Sequence, residues 1–136
     1  MNKYLAKIIA TDKEGLQMIS ACSSGAKVKV SDIKYLESNK VFLLSIERIK
    51  VENENEDKKV NSICRFDFVD KVKSKNIDQS NQELVLELVG IDYLKNNDVY
   101  EINLFFSNNA HIALTAETIE ALSLIHISEP TRQVLI

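Results

Sequence analysis

Short apolar runs separated by polar turns, with one stretch of helical spacing near the start, set the pattern of this chain. A short apolar strand is predicted over Tyr4 to Ile9. Thr11 then stands three residues before Glu14, the spacing of a capping box, in which a hydroxyl accepts from the Glu amide and the Glu side chain reaches back. A helix from about Asp12 to Cys22 follows, with Leu16, Ile19 and Cys22 at helical spacing. Ser23-Ser24-Gly25 ends it, and Gly25 suits the left-handed position after a helix.

From Lys27 onward the pattern predicts antiparallel strands. Val28 to Leu36 and Val41 to Val51 are joined by a four-residue turn at Glu37–Lys40. Glu52 to Lys59 is too polar to bury and reads as a solvated loop. Ser62 to Lys75 reads as one strand, with Cys64, Phe66, Phe68 and Val72 on one face. Asn76 to Gln82 is a polar loop. Leu84 to Leu94 is apolar on both alternations, which predicts a strand covered on both sides. Lys95–Asp98 turns the chain into Val99 to Phe106. Asn108-Asn109 closes a tight hairpin into His111 to Leu114, because Asn tolerates positive φ. Thr115 is placed to cap a last helix beginning at Ala116.

The pattern thus predicts an α+β domain. Its sheet is an antiparallel meander of about six to seven strands, with one N-terminal helix and one truncated C-terminal helix on one face or at its mouth. A strand run followed by a C-terminal helix also suits a pleckstrin-homology-like barrel.

The end of the chain changes that picture. Leu122 to Arg132, LSLIHISEPTR, resembles the in-frame translation of a transposase-type sequencing-library adapter, with Gln133-Val134-Leu135 as an index and Ile136 after it. On this reading residues 1–121 are a single domain, residues 122–136 are a non-native tail excluded from fold reasoning, and the gene is cut near Ala121. Pro130 and His126 then leave the argument.

Composition narrows the function classes. At 136 residues the chain can bury a core without disulfides or metals. A net charge of -3 lacks the basic surplus of most nucleic-acid binders. No apolar run approaches the roughly 20 residues that span a bilayer, and the N-terminus has no long apolar signal region, so a cytoplasmic protein is expected. Cys22 and Cys64 are too few for a disulfide framework and read as core thiols in a reducing compartment.

Chemistry is sparse. Gly15, Gly25 and Gly90 have neither P-loop nor dinucleotide spacing and suit helix, cap and strand-bulge positions. His111, beside a tight turn, reads as a surface or half-buried hairpin histidine rather than a general base. Asp67 and Asp70, three apart in a strand, face opposite ways unless a bulge intervenes. Asp32 reads as a turn cap. The acidic run Glu52 to Asp57 lacks calcium-loop spacing. In a regular strand, Arg65, Lys71, Lys73 and Lys75 share the face opposite Phe66 and Phe68. Such a stripe suits an acidic partner, a phosphate or RNA, or simply protects a sheet edge. No interleaved exposed aromatics are evident for stacking on bases. No catalytic, cofactor-binding or metal-ligating residue is assigned.

Lys27–Leu36 (KVKVSDIKYL) resembles a motif of the bacterial Domain of Unknown Function 2948 family. So does Arg65–Val69 (RFDFV) followed by Val72, Ser74 and Ile77-Asp78. Ile8–Leu16 and Ile119-Glu120-Ala121 also fit, in the family's order, over residues 4–121. Ile49-Lys50-Val51 departs from the family's Phe-Asp-Trp-like segment, and its acidic, tryptophan-containing C-terminal stretch is absent. The resemblance implies a small bacterial cytoplasmic protein with no assigned activity, cofactor or catalytic residues. The expectation is a non-enzymatic interaction or regulatory module with a protein partner. Its rivals are a small-molecule or phosphate-binding domain, or a weak enzyme, using Arg65 and the lysines, and an RNA-binding accessory protein.

Overall fold

The computed structural model describes residues 2–53 and 56–128. Its elements run β1 (Asn2–Ala10), α1 (Lys13–Ser23), β2 (Lys27–Lys29), β3 (Ile33–Leu36), β4 (Val41–Asn53) and β5 (Glu56–Phe66). They continue with β6 (Val69–Lys75), β7 (Val85–Asn96), β8 (Val99–Phe106), β9 (His111–Ala116) and β10 (Ala121–Ser128). All pairings are antiparallel, in the order β1-β10-β5-β4-β2-β7-β8-β9-β6, with β3 on β4. Ten strands and a single α-helix among the described residues overturn the expected α+β meander of six to seven strands with two helices. The pleckstrin-homology-like reading falls with its C-terminal helix.

Two residues join β5 to β6, yet four strands and short β2 lie between them in the sheet order. The sheet must therefore curl until its far end returns to its middle, as in a partly closed barrel. The return is fastened by backbone hydrogen bonds: Val69 N–H to the Lys40 carbonyl at 2.9 Å, Asp67 N–H to Glu120 at 2.9 Å, and Glu117 N–H to Phe68 at 3.2 Å. One apolar cluster fills the interior, with Phe42, Leu44, Cys64 and Phe66 from β4 and β5 meeting Leu88, Ile102, Leu104 and Leu114.

Several local expectations fail for identifiable reasons. Phe68 adopts φ +60°, which turns a corner and splits the single strand foreseen over residues 62–75 into β5 and β6. Cys64 and Phe66 point inward, while Phe68 is 44% exposed. A 3-10 turn at residues 30–32 likewise divides the strand foreseen over 28–36 into β2 and β3. The foreseen loop over 52–59 is largely strand, since β4 and β5 pair as far as Asn53 with Glu56; Glu54 and Asn55 lie outside the described residues. In β7 Leu86 and Leu88 are inside while Val85 and Val89 are more than half exposed, and only past the register shift does burial pass to Ile91, so both alternations are apolar without both faces being covered. A register shift beside Gly90 matches its reading as a bulge.

Thr115 and Ala116 continue β9 instead of capping a helix, and Ala121–Ser128 inserts between β1 and β5. The alternation in Leu-Ser-Leu-Ile-His-Ile is strand-like, and Ala121 and Ser123 are buried. The excluded tail therefore begins within an interior strand, one removed from the β1 end of the sheet.

The helix cap also differs. Asp12, not Thr11, caps α1, its carboxylate accepting from Gly15 N–H at 2.9 Å. Leu16, Ile19 and Ser23 form the inward stripe, which leaves Cys22 exposed and only Cys64 in the core. Gly25 takes φ +84° as foreseen, and its N–H reaches the Leu88 carbonyl at 2.7 Å.

Gly15 permits the close approach of α1 to β1. A Cβ there would stand 2.7 Å from Ala10 Cα, a backbone atom that cannot swing aside. Gly15→Ala gains about 0.5–1 kcal/mol of helix propensity but meets an overpacking cost of about 1–3 kcal/mol. A net loss of about 1–2 kcal/mol is expected in urea unfolding. An unchanged or raised midpoint would mean that α1 lifts off β1 without cost.

Candidate functional site

The sheet ends at β6, which pairs with β9 alone among the described strands. Residues paired directly across antiparallel strands share a face. Lys75 pairs with His111 and His111 with Phe105; Lys73 pairs with Ala113 and Ala113 with Asn103; Lys71 pairs with Thr115 and Thr115 with Glu101. Three exposed lysines thus form a column along the edge, and a mixed polar and aromatic surface continues across β9 and β8. His111 and Phe105 stack with ring centroids 5.1 Å apart and planes 14° from parallel. His111 Nε2–H donates to Asn103 Oδ1 at 2.8 Å, which fixes the ring.

None of the three lysines forms an ion pair with a described residue. Arg65 does not join them. It lies on β5, beyond the Phe68 corner, and its Nε holds Asp67 at 2.9 Å. The regular strand that would have put all four cations on one face does not exist. Lys40, a cation that sequence reading left aside, bridges Asp70 at 3.0 Å and Glu117 at 3.6 Å. Its pKa is raised, chiefly by the Asp70 hydrogen bond.

The remaining candidates are scattered. Asp67 and Asp70 serve separate cations, and a register shift between Val69 and Lys71 supplies the bulge that their spacing left open. Asp32 is exposed in the 3-10 turn. Glu52 to Asp57 falls in β4, β5 and the undescribed residues 54 and 55. Among the described residues no three His, Cys, Asp or Glu side chains stand together as a metal site. No described helix is long and apolar enough to cross a membrane.

Sequence reading missed a recess of about 320 Å³ where the curled sheet fails to close between β3 and β6. Its floor and walls are apolar: Ile33, Phe42, Val72, Ile77 and Ile112. At one end Tyr35 donates its hydroxyl to the Val69 carbonyl at 2.7 Å and seals the seam. Burial, followed by Glu37 and Asp70, pushes the Tyr35 pKa above its usual value and keeps it a donor. At the other end Ser74, Gln79 and Gln82 form a neutral polar rim. Ile33 and Tyr35 belong to one sequence motif and Val72, Ser74 and Ile77 to the other, so the two motifs meet at this seam. Their separation of about forty residues hides this from any local pattern.

These features define a β-rich domain, a curled antiparallel sheet with one basic free edge and one unclosed seam. The chain belongs to the family described as "Protein of unknown function (DUF2948)", whose model matches residues 6–133 and so extends past Ala121. No curated protein and no solved structure matches it significantly.

Proposed function

We propose that the protein is a non-enzymatic binding module that receives an acidic, extended segment of a partner protein along β6. The observation that carries this reading is the column of Lys71, Lys73 and Lys75 on a strand edge that no described strand pairs, past Val69, whose N–H and carbonyl are held by Lys40 and Tyr35. An added strand would find backbone donors and acceptors there and place its carboxylates opposite the lysines. The whole chain is acidic, with 20 Asp and Glu against 17 Lys and Arg, so a basic strip with no ion pair among the described residues stands out.

A second reading has its own observation. The Phe105–His111 stack continues the row of Lys75 and supplies the aromatic surface that a single-stranded RNA would need beside its phosphate contacts. One experiment addresses both. The triple variant Lys71→Glu, Lys73→Glu, Lys75→Glu and the single variant Phe105→Ala are tested against a synthetic peptide of alternating Glu and Val and a ten-nucleotide single-stranded RNA. Co-purification from a native host accompanies them. The peptide reading expects salt-sensitive peptide binding, weakened at least tenfold by charge reversal and unaffected by Phe105→Ala. RNA binding with a steep salt slope and a roughly tenfold loss in Phe105→Ala would favour the second reading. If the triple variant binds every ligand as the parent does, the lysine edge is no interface.

A further inference from the structure

We propose that the seam between β3 and β6 is a binding site for a neutral small molecule with an apolar body and one amide-like or hydroxyl-like end. The recess shares the β3–β6 gap with the edge of β6 but uses the opposite face of the strand: Val72 and Ser74 line it, while Lys71, Lys73 and Lys75 take the other positions.

The recess is held open by structure. Residues 76–84 arch over it and are pinned at both ends, at the start by Asn76 Nδ2 donating to the Asn109 carbonyl at 2.9 Å. Val30 N–H donates to the Leu84 carbonyl at 2.9 Å, and Ser31 N–H to Gln82 at 3.1 Å. Gln79 Nε2 donates to Ser74 Oγ at 2.7 Å, and Gln82 Nε2 to the Gln79 carbonyl at 2.6 Å. Within the arch Asp78 accepts from both the amide and the hydroxyl of Ser80, and the Ser80 hydroxyl leads in lowering its pKa. Walls fixed in this way do not need to be ordered at the moment of binding, which removes a cost of association.

The chemistry of the lining selects the occupant. Ile33, Tyr35, Val72 and Ile77 are packed against the core yet only half buried. They offer apolar surface that a ligand would cover. No described charged side chain lines the recess, so an ionised ligand would lose hydration with no counter-charge in return. Gln79 and Gln82 each spend one N–H within the rim and keep a second N–H and a side-chain oxygen, a donor and an acceptor that an amide-like or hydroxyl-like group can meet. The volume of about 320 Å³ equals roughly ten waters' share of the liquid, so the ligand is small.

Benzamide and benzoate have the same shape and differ in charge, and they test the assignment on the full chain. With isoleucine methyl groups labelled for NMR, benzamide should shift Ile33, Ile77 and Ile112 saturably, with a Kd on the order of 1 mM. Benzoate should bind at least tenfold more weakly. Val72→Phe fills the recess and should abolish the benzamide shifts; Ser74→Leu serves if Val72→Phe does not fold. Absence of benzamide shifts up to about ten times that Kd would overturn the proposal. So would equal binding of benzoate, or shifts that persist in the filled variant. Shifts of the same methyls with protein concentration alone, matched by dimerisation in sedimentation, would assign the seam to a second copy and equally overturn it.

Discussion

Phe66→Ala should cost the domain about 4 kcal/mol, the largest loss expected of any single substitution considered for this chain. Phe66 has no solvent exposure and sits at the end of β5, immediately before the corner that starts the return of the sheet. It pairs directly with Phe42 on β4 and with Ala121 on β10, so three strands lose a common filler. Its ring meets Phe42 at 6.2 Å with planes tilted 50°, an arrangement worth about 0.5–1.5 kcal/mol beyond buried area. Against a total stability of about 5–15 kcal/mol, this change consumes a large fraction. Chemical denaturation would measure it, with Phe105→Ala as the control: Phe105 is 43% exposed, and its loss should cost less than about 1 kcal/mol. A loss below about 1 kcal/mol in Phe66→Ala would mean that β4, β5 and β10 do not share a packed core.

The second large effect is a fall in stability in alkali caused by Cys64. Its thiol is 1% exposed, and burial pushes its pKa from 9.0 to about 11, while the hydroxyls of Ser23 and Ser123 offset only part of that rise. The sign follows from proton binding. Between pH 9 and about 11 the unfolded chain has released the thiol proton and the folded chain retains it, so unfolding is favoured as pH rises. At about 1.4 kcal/mol per unit, the loss across that window approaches roughly 3 kcal/mol, and none is expected below about pH 9. Lysines and tyrosines titrate in the same range, so the quantity to compare is the slope of stability against pH in the parent and in Cys64→Ala. Equal slopes would show that the Cys64 thiol ionises without hindrance in the fold. Reactivity gives an independent reading. At about pH 8 roughly one Cys64 thiol in a thousand is ionised, so a thiol reagent should modify exposed Cys22 quickly and Cys64 only as the domain opens.

The local chemistry of the chain is legible wherever neighbours in sequence determine it. Gly25 after α1 and the Asn108-Asn109 hairpin each depend on which residues tolerate positive φ, and the turn at Glu37–Lys40 shows as a polar break between two apolar runs, although its positive φ falls on Lys40. Leu16 and Ile19 declare their inward face by spacing, and His111 is the half-buried hairpin residue that its position beside a turn implies. Periodicity could not reveal that Phe68 would enter a backbone region aromatic residues rarely adopt, because the compensation comes from Lys40 and Glu117, both distant in sequence. That one corner separates Arg65 from the lysines and removes the site they would have formed together.

The last strand is hidden for a different reason: its residues after Ala121 carry a strand-like alternation but fall in the segment set aside as a non-native tail, and Ala121–Ser128 fills the slot between β1 and β5. Side-chain period and backbone preference suffice for the strand-rich character, the turns and the lysines of β6, because each is a property of residues close together in the chain. How far the sheet curls, and hence that β3 and β6 approach without pairing, is a property of the assembled fold. That gap is set by the summed twist of many strands and by hydrogen bonds between segments distant in the chain, quantities that no local window contains.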